Sequence, residues 1–313
     1  MRHGLVLAAL AALALLYLGW GTGFAPGFLL SRRLIRLGAM AVGGTGIAMA
    51  SILFQTVARN RILTPAIMGY EAAYLLLQAL LVLALGTASL RLLGDLGNMA
   101  LSLALMLGWS LALHGLLFRD ERNSMHRMLL IGLVLTLTLT SITQFVQLQI
   151  SPGEFAVLQS FALISLDGIS PNRLAISAVA VLAAGAIALR RAAIWDVMAL
   201  GRDQALSLGL DHPREVRLCL ALIAVFAAAT TSLIGPSAFM GIFIANIAYA
   251  LTGGFRHRRT LPAGSLVAVA MLLIAELMVQ HLFRFGTTIG ILINLICGGY
   301  FLFLILRRAE RPA

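Results

Sequence analysis

The sequence predicts an all-α, polytopic membrane protein of about ten transmembrane helices, with short helices on the cytoplasmic side between spans six and seven. Three observations predict it. Mean hydropathy is +0.97 with only 11% charged residues in a chain of 313, and a soluble globule of that composition would have to expose large apolar patches to water. Apolar runs of roughly 17–25 residues, enough to cross about 30 Å of hydrocarbon as helices that satisfy their own backbone, recur along the whole length. All 23 basic residues are arginine, and they divide unevenly between alternate loops.

Ten segments carry the spans: 4–22, 37–56, 70–88, 98–118, 128–148, 173–190, 216–234, 239–252, 262–283 and 289–306. The first follows Met1-Arg2-His3; its apolar run is longer than a secretory signal core, so it reads as a span. The second contains "GAMAVGGTGIAMAS", whose Gly38, Gly43, Gly44, Gly46, Ala48 and Ala50 predict close helix packing. Glu71 opens the third, and Arg119, Arg122 and Arg127 mark the loop between the fourth and fifth. After the fifth comes "SPGEFAVLQSFALISLDGISPN", residues 151–172, with Glu154 and Asp167 its only charges and a short interfacial helix expected within it. The sixth ends at Arg190 and Arg191. The eighth is too short to cross alone and follows "GPSAFMG", so a Pro/Gly break is expected at membrane depth, buried in protein. Glu276 lies in the ninth, with His281 five residues on.

Ten spans with both termini cytoplasmic place six arginines outside (Arg32, Arg33, Arg36, Arg91, Arg173 and Arg284) and the other seventeen inside. This satisfies the positive-inside rule, which an odd span count would break. No soluble domain is left over, so residues 1–313 form one transmembrane domain. The net charge of +11 therefore faces membrane lipid and protein partners, and nothing points to nucleic acid.

Between spans six and seven lies "ALGRDQALSLGLDHPREVR", residues 199–217. It holds Arg202, Asp203, Asp211, His212, Arg214, Glu215 and Arg217, interleaved with apolar residues. The spacing predicts a helix from about Trp195 to Leu208, stopped by Gly209, with Pro213 restarting the chain toward span seven. Such an element lies flat on the cytoplasmic face, offering one side to another protein or resting on lipid.

No GxxxxGK[ST] phosphate loop occurs, so the chain does not hold ATP in that way, and no Ser/His/Asp or paired-carboxylate arrangement marks it as an enzyme. The six histidines never fall at ligand spacing on one helix, and Cys219 and Cys297 sit singly in apolar runs, so no metal site or bound cofactor is expected. Glu71 and Glu276 are the main charges within spans, which marks them as functional candidates, with an interhelical hydrogen bond the alternative. Arg33 and Arg36, three apart at the outer start of a helix, can share a face and meet carboxylates of an outside partner, or snorkel to lipid phosphate.

Four segments in order resemble the FecCD-type permease subunits of ABC importers for iron-siderophores, haem and cobalamin. "RLIRLGAMAVGGTGIAMASILFQTVARNRILTPAIMG" is similar to the family's RLPR, glycine-rich span and NPLA-P-x-x-LG loop; "ALGRDQALSLGL" to its LG-x-x-x-A-x-x-LG coupling segment. "SLIGPSAFMGIFIANIAYALTGGFRHRRTLP" resembles its GPIGFVGLIVPH…DHR-x-LP region, and "TTIGILINLICGGYFLFLILRR" its closing segment. The resemblance implies two paired permeases on two cytoplasmic ATPase subunits that use ATP and Mg, fed with ferric siderophore by a periplasmic binding protein at the inner membrane. It assigns Ala199, Leu200, Gly201, Ala205, Leu208 and Gly209, within a coupling segment of about 195–213, to ATPase coupling. It assigns Arg33 and Arg36 to binding-protein docking, with Arg284 added by location, and makes Asn60, Pro65, Gly69, Glu71 and Glu276 pathway or structural candidates. The chain departs from the pattern at Asn60-Arg61-Ile62-Leu63, where many members have NPLA, and at Ala245-Asn246, where they have Pro-His. The combination "NRILTPAIMGYEAAYLLLQ" and "FGTTIGILIN" looks most like the branch serving catecholate or mixed-ligand siderophores such as petrobactin, anguibactin and vibriobactin, where a heterodimer of related permeases is usual. A haem or cobalamin permease, an ion- or proton-coupled carrier acting alone and a membrane scaffold are the alternatives.

Overall fold

The computed structural model describes residues 2–20, 27–86, 89–117, 125–237 and 239–309. Arg119, Arg122 and Arg311, with the expected span ends at 21–22, 87–88 and 118, lie outside them. The described residues form helices without strands: α1 (Arg2–Gly19), α2 (Phe28–Ala58), α3 (Tyr70–Leu85), α4 (Ser89–Leu117), α5 (Met125–Gln147), α6 (Pro152–Phe161), α7 (Pro171–Arg190), α8 (Ala192–Met198), α9 (Arg202–Ser207), α10 (His212–Ile234), α11 (Met240–Thr252), α12 (His257–Leu277) and α13 (Ile289–Ala309). A 3-10 turn at Pro65–Met68 precedes α3, and a π turn at Met278–Leu282 continues α12.

Among the described residues, six helices are long and apolar enough to cross a membrane. Four shorter apolar helices, at 8–19, 70–85, 240–252 and 289–300, occupy the places of the remaining expected spans.

The helix ends follow local chemistry legible in the residues. Ser151 and Glu154 form a reciprocal capping box on α6. Ser170 caps α7 and Asp211 caps α10, each with proline in the first turn.

The polar island differs from the single helix expected across Trp195–Leu208. It folds as α8 and α9, split at Gly201, whose φ of 112° is closed to ordinary helix. Gly209, with φ 80°, ends α9 as expected.

At the centre stands α2, packed between α10 and α12. Its most apolar stretch is 72% buried and that of α10 is 78% buried, against 17% for α5, so α5 is peripheral and turns its leucines outward. The glycine strip serves a different neighbour at each position: a Cβ on Gly43 would lie 2.6 Å from Ile234 Cδ1 on α10, one on Gly44 3.2 Å from the Ala268 backbone on α12, and one on Gly38 2.9 Å from Leu174 on α7.

The break expected after α10 is present. Gly235, at φ 91°, ends α10, and α11 starts afresh at Met240. A second interruption, residues 59–69, turns back beside it: Ser51, Pro65, Glu71, Ser237 and Gly241 line one small pocket at mid-bundle. Side chains of neighbouring helices serve that irregular backbone: Trp109 Nε1 donates to Met68 O at 2.9 Å and Thr136 Oγ1 to Ile67 O at 2.8 Å. Non-helical backbone at this depth is tolerated where protein satisfies it.

Candidate coupling and docking sites

The bundle's two ends are equipped differently. One gathers the C-terminal end of α2, the α8–α9 segment, the end of α11 and the start of α12 around a cavity of about 490 Å³. The other gathers the start of α2, residues 160–167, the end of the π turn and the start of α13 around a cavity of about 330 Å³. Residues 59–61, 199–200 and 255–257 thus gather at one end and residues 160–167 and 285–289 at the other.

At the first end α8 is firmly seated. Trp195 is fully buried and its Nε1 donates to Ala188 O at 2.8 Å, folding α8 back on the end of α7. An Arg191–Glu215 ion pair at 2.5 Å ties that junction to α10. Asp196 Oδ1 accepts from the His257 backbone N–H at 2.8 Å and lies 2.7 Å from His257 Nδ1. The opposite ring nitrogen lies 2.7 Å from Thr56 Oγ1. One buried histidine thus bridges α8, α12 and the last turn of α2. These residues were not singled out from the sequence: "RHRRTLP" identified the segment, but partners 61 and 201 positions apart leave no local signal.

The sequence-assigned coupling residues divide by exposure. Ala205 is fully buried, with Leu210 N donating back to its carbonyl at 3.0 Å. Leu200 just after α8, Leu206 in α9 and Leu208 just after it are exposed, at 55, 45 and 63%. Ala199 and Leu200 also line the cavity. A Cβ on Gly201 would stand 3.0 Å from Arg59 Cζ, whereas one on Gly209 would meet nothing within 4 Å.

The interruption begins at the first end, where Asn60 lines the larger cavity and its Oδ1 accepts from Ile62 N at 3.0 Å, and reaches the small inner pocket at Pro65, which starts the 3-10 turn. Gly69, at φ 83°, begins α3 where a Cβ would be 3.2 Å from the Trp109 ring. Glu71 Oε1 accepts from Ser237 N at 2.8 Å, pinning the α10–α11 break to α3. Replacing Glu71 by alanine strands a part-buried N–H, a loss of about 1–3 kcal/mol, expected as a fall of several degrees in the melting temperature of the detergent-solubilised protein. Glu71→Gln keeps an acceptor oxygen and is expected to recover most of that fall. Equal losses in both variants would contradict this role.

At the second end, Arg36 reaches Glu276 at 3.1 Å and also pairs with Asp167. Glu276 is only 3% exposed and receives a second bond from Gln280 at 2.5 Å, while the Asp167 side chain is 79% exposed. Arg33 Nη1 donates to the carbonyls of Tyr17 and Trp20, each at 2.8 Å, and of Leu18 at 3.2 Å, so it caps α1 and clasps it to α2. Arg284 is exposed, at φ 47° between the π turn and α13. Both Glu276 and Arg36 thus have partners inside the chain, which the sequence could not reveal across 240 positions.

Among the described residues no group of three or more His, Cys, Asp or Glu side chains gathers to hold a metal. A bundle of long apolar helices with polar groups gathered at its two ends defines a multi-pass membrane protein. The chain belongs to the FecCD transport family, whose model matches residues 12–307, and it is a transport subunit, not an enzyme. It is 30% identical over 310 residues to the petrobactin import system permease protein YclO of Bacillus subtilis (strain 168), covering 98% of each chain. It is 26% identical over 285 residues to the petrobactin permease FatC of Bacillus anthracis, covering 90% of this chain and 80% of that one. A solved metal-chelate type ABC transporter in an inward-facing conformation superposes with a TM-score of 0.84 at 19% identity, covering 97% of this chain and 98% of that chain.

Proposed function

We propose that this chain is the permease subunit of an ATP-driven importer that carries an Fe(III)-siderophore of the catecholate or mixed-ligand class across the bacterial inner membrane. The observation that carries this reading is end-to-end similarity to petrobactin permeases. The end bearing α8 and α9 faces the cytoplasm, as do both termini of a ten-span chain, and residues 195–213 meet an ATPase subunit that hydrolyses ATP with Mg. Leu200 and Leu208 supply exposed contact, Ala199, Ala205, Gly201 and Gly209 shape it, and Asp196–His257–Thr56 passes its movement to α12 and α2. The opposite end, with Arg33, Arg36 and Arg284, receives the periplasmic binding protein. Asp167, exposed and paired with Arg36, is the carboxylate that an incoming acidic group displaces. Asn60, Pro65, Gly69 and Glu71 hold the interruption beside the pathway. A second, related permease covers part of the apolar flank, making a heterodimer, and lipid covers the rest.

The test is uptake of iron-loaded petrobactin into proteoliposomes containing this chain, its paired permease and the ATPase subunits. Uptake is expected to require ATP and to be lost with Leu200→Asp/Leu208→Asp, which puts two carboxylates into an apolar contact. Uptake by this chain alone under a proton or ion gradient would replace the reading with that of a carrier.

A further inference from the structure

We infer that the 490 Å³ cavity beside the α8–α9 turn is an acid-receiving socket, into which the ATPase subunit inserts a loop bearing a carboxylate side chain. The inference rests on the coupling role proposed for that segment. Arg59, Arg61 and Arg256 line the cavity, and among the described residues no carboxylate pairs with any of them. Its one acidic lining residue is Asp196, already engaged with both the backbone and ring of His257. The Arg61 guanidinium is stacked 4.0 Å from the Phe255 ring centroid and 5.6 Å from that of Tyr249. These aromatic contacts hold the Arg61 cation at the cavity, where a carboxylate can pair with it. Arg59 rests on Gly201, at the turn itself.

The neighbouring surface decides the occupant. Leu200 lines the cavity and is itself exposed, as are Leu206 and Leu208 in the adjoining segment. A protein pressed against those leucines covers the cavity, and covering three arginines against the single carboxylate of Asp196 leaves positive charge uncompensated, which is costly. The partner that buries the leucines must therefore bring acid with it. The cavity is much larger than one carboxylate, so a side chain enters with its flanking residues, touching α2, α8, α11 and α12 together.

The test uses the full chain co-expressed with its paired permease and ATPase subunits, scoring ATPase co-purification at low and high salt. Arg61→Glu/Arg256→Glu is expected to cut co-purified ATPase about tenfold at low salt, with a smaller difference from the parent at high salt, where charges are screened. Arg61→Lys/Arg256→Lys keeps the charges and is expected to retain most assembly. Suppressors of the double reversal should be acidic-to-basic changes in the ATPase. Unchanged assembly in the reversal, while Leu200→Asp/Leu208→Asp abolishes it, would overturn the socket and leave the coupling role standing; no effect from either pair would overturn both. Loss of stabilisation by phosphatidylglycerol over phosphatidylcholine nanodiscs, with ATPase binding intact, would assign the cavity to lipid headgroups and overturn the socket.

Discussion

Valine in place of Gly201 is expected to abolish ATP-driven uptake while the chain still inserts in the membrane. Two effects act at that position. The backbone stands at φ 112°, where a residue with a Cβ is strained by about 1–3 kcal/mol, and β-branching raises the cost. The added Cβ also falls 3.0 Å from Arg59 Cζ, at the last turn of α2. The Arg59 side chain can swing aside, so the backbone strain is what disturbs the turn between α8 and α9, and its relief moves Leu206 and Leu208 relative to Leu200. Trp195 and the Asp196–His257 bonds hold α8 in place, so the displacement falls on α9. Gly209→Ala is the informative contrast: φ is 80° but a Cβ there meets nothing within 4 Å, so only backbone strain remains and a partial loss is expected. Arg59→Ala added to Gly201→Val removes the guanidinium contact but keeps the backbone strain and the approach to Gln204 Oε1 at 3.1 Å, so little recovery is expected. Labelled chelate uptake with ATPase co-purification reads all four proteins. Wild-type uptake by Gly201→Val would show that the turn's geometry does not matter to coupling.

That same turn marks the boundary of what the sequence discloses. Long apolar runs give the helices, and Gly235 with Pro236 gives the break before α11, because both signals are local. A single helix across Trp195–Leu208 satisfied the apolar spacing equally well. Glycine in a helix costs only about 1 kcal/mol, so its presence does not force a break. What split α8 from α9 is the seating of Trp195 and Asp196 on α7 and α12, a tertiary effect. The arginines at the opposite end teach a similar lesson. Their position on one helix face was readable, but the carboxylates meeting Arg36 come from α12 and from the segment before α7, and the carbonyls meeting Arg33 come from the end of α1. Charge positions were legible; charge partners were not.

Leucine in place of Gly46 is expected to prevent the chain from accumulating in a folded form. A Cβ on Gly46 would overlap Thr230 Cγ2 on α10, far inside van der Waals contact, and would press on Val181 of α7 at 3.4 Å. Thr230 is 3% exposed, and its hydroxyl bonds back to Phe226 O at 2.8 Å, so turning it aside breaks a buried bond. A tight core charges about 1–3 kcal/mol for extra methylenes that its neighbours can absorb. Leucine adds four carbons where even the first cannot fit, so α2 and α10 must separate. Because α2 is also the surface on which α7, α11 and α12 pack, the separation spreads through the bundle. Gly46→Ala should lower the melting temperature of the solubilised protein without eliminating it, and Thr230→Ala should recover part of that loss. The recovery appears as a coupling energy in a double-mutant cycle. Gly108→Leu supplies the control, since a Cβ at Gly108 meets nothing within 4 Å and little change is expected there. If Gly46→Leu accumulated and melted like the parent protein, α2 and α10 could not be in backbone-close contact, and the central packing that positions both ends of the permease would be wrong.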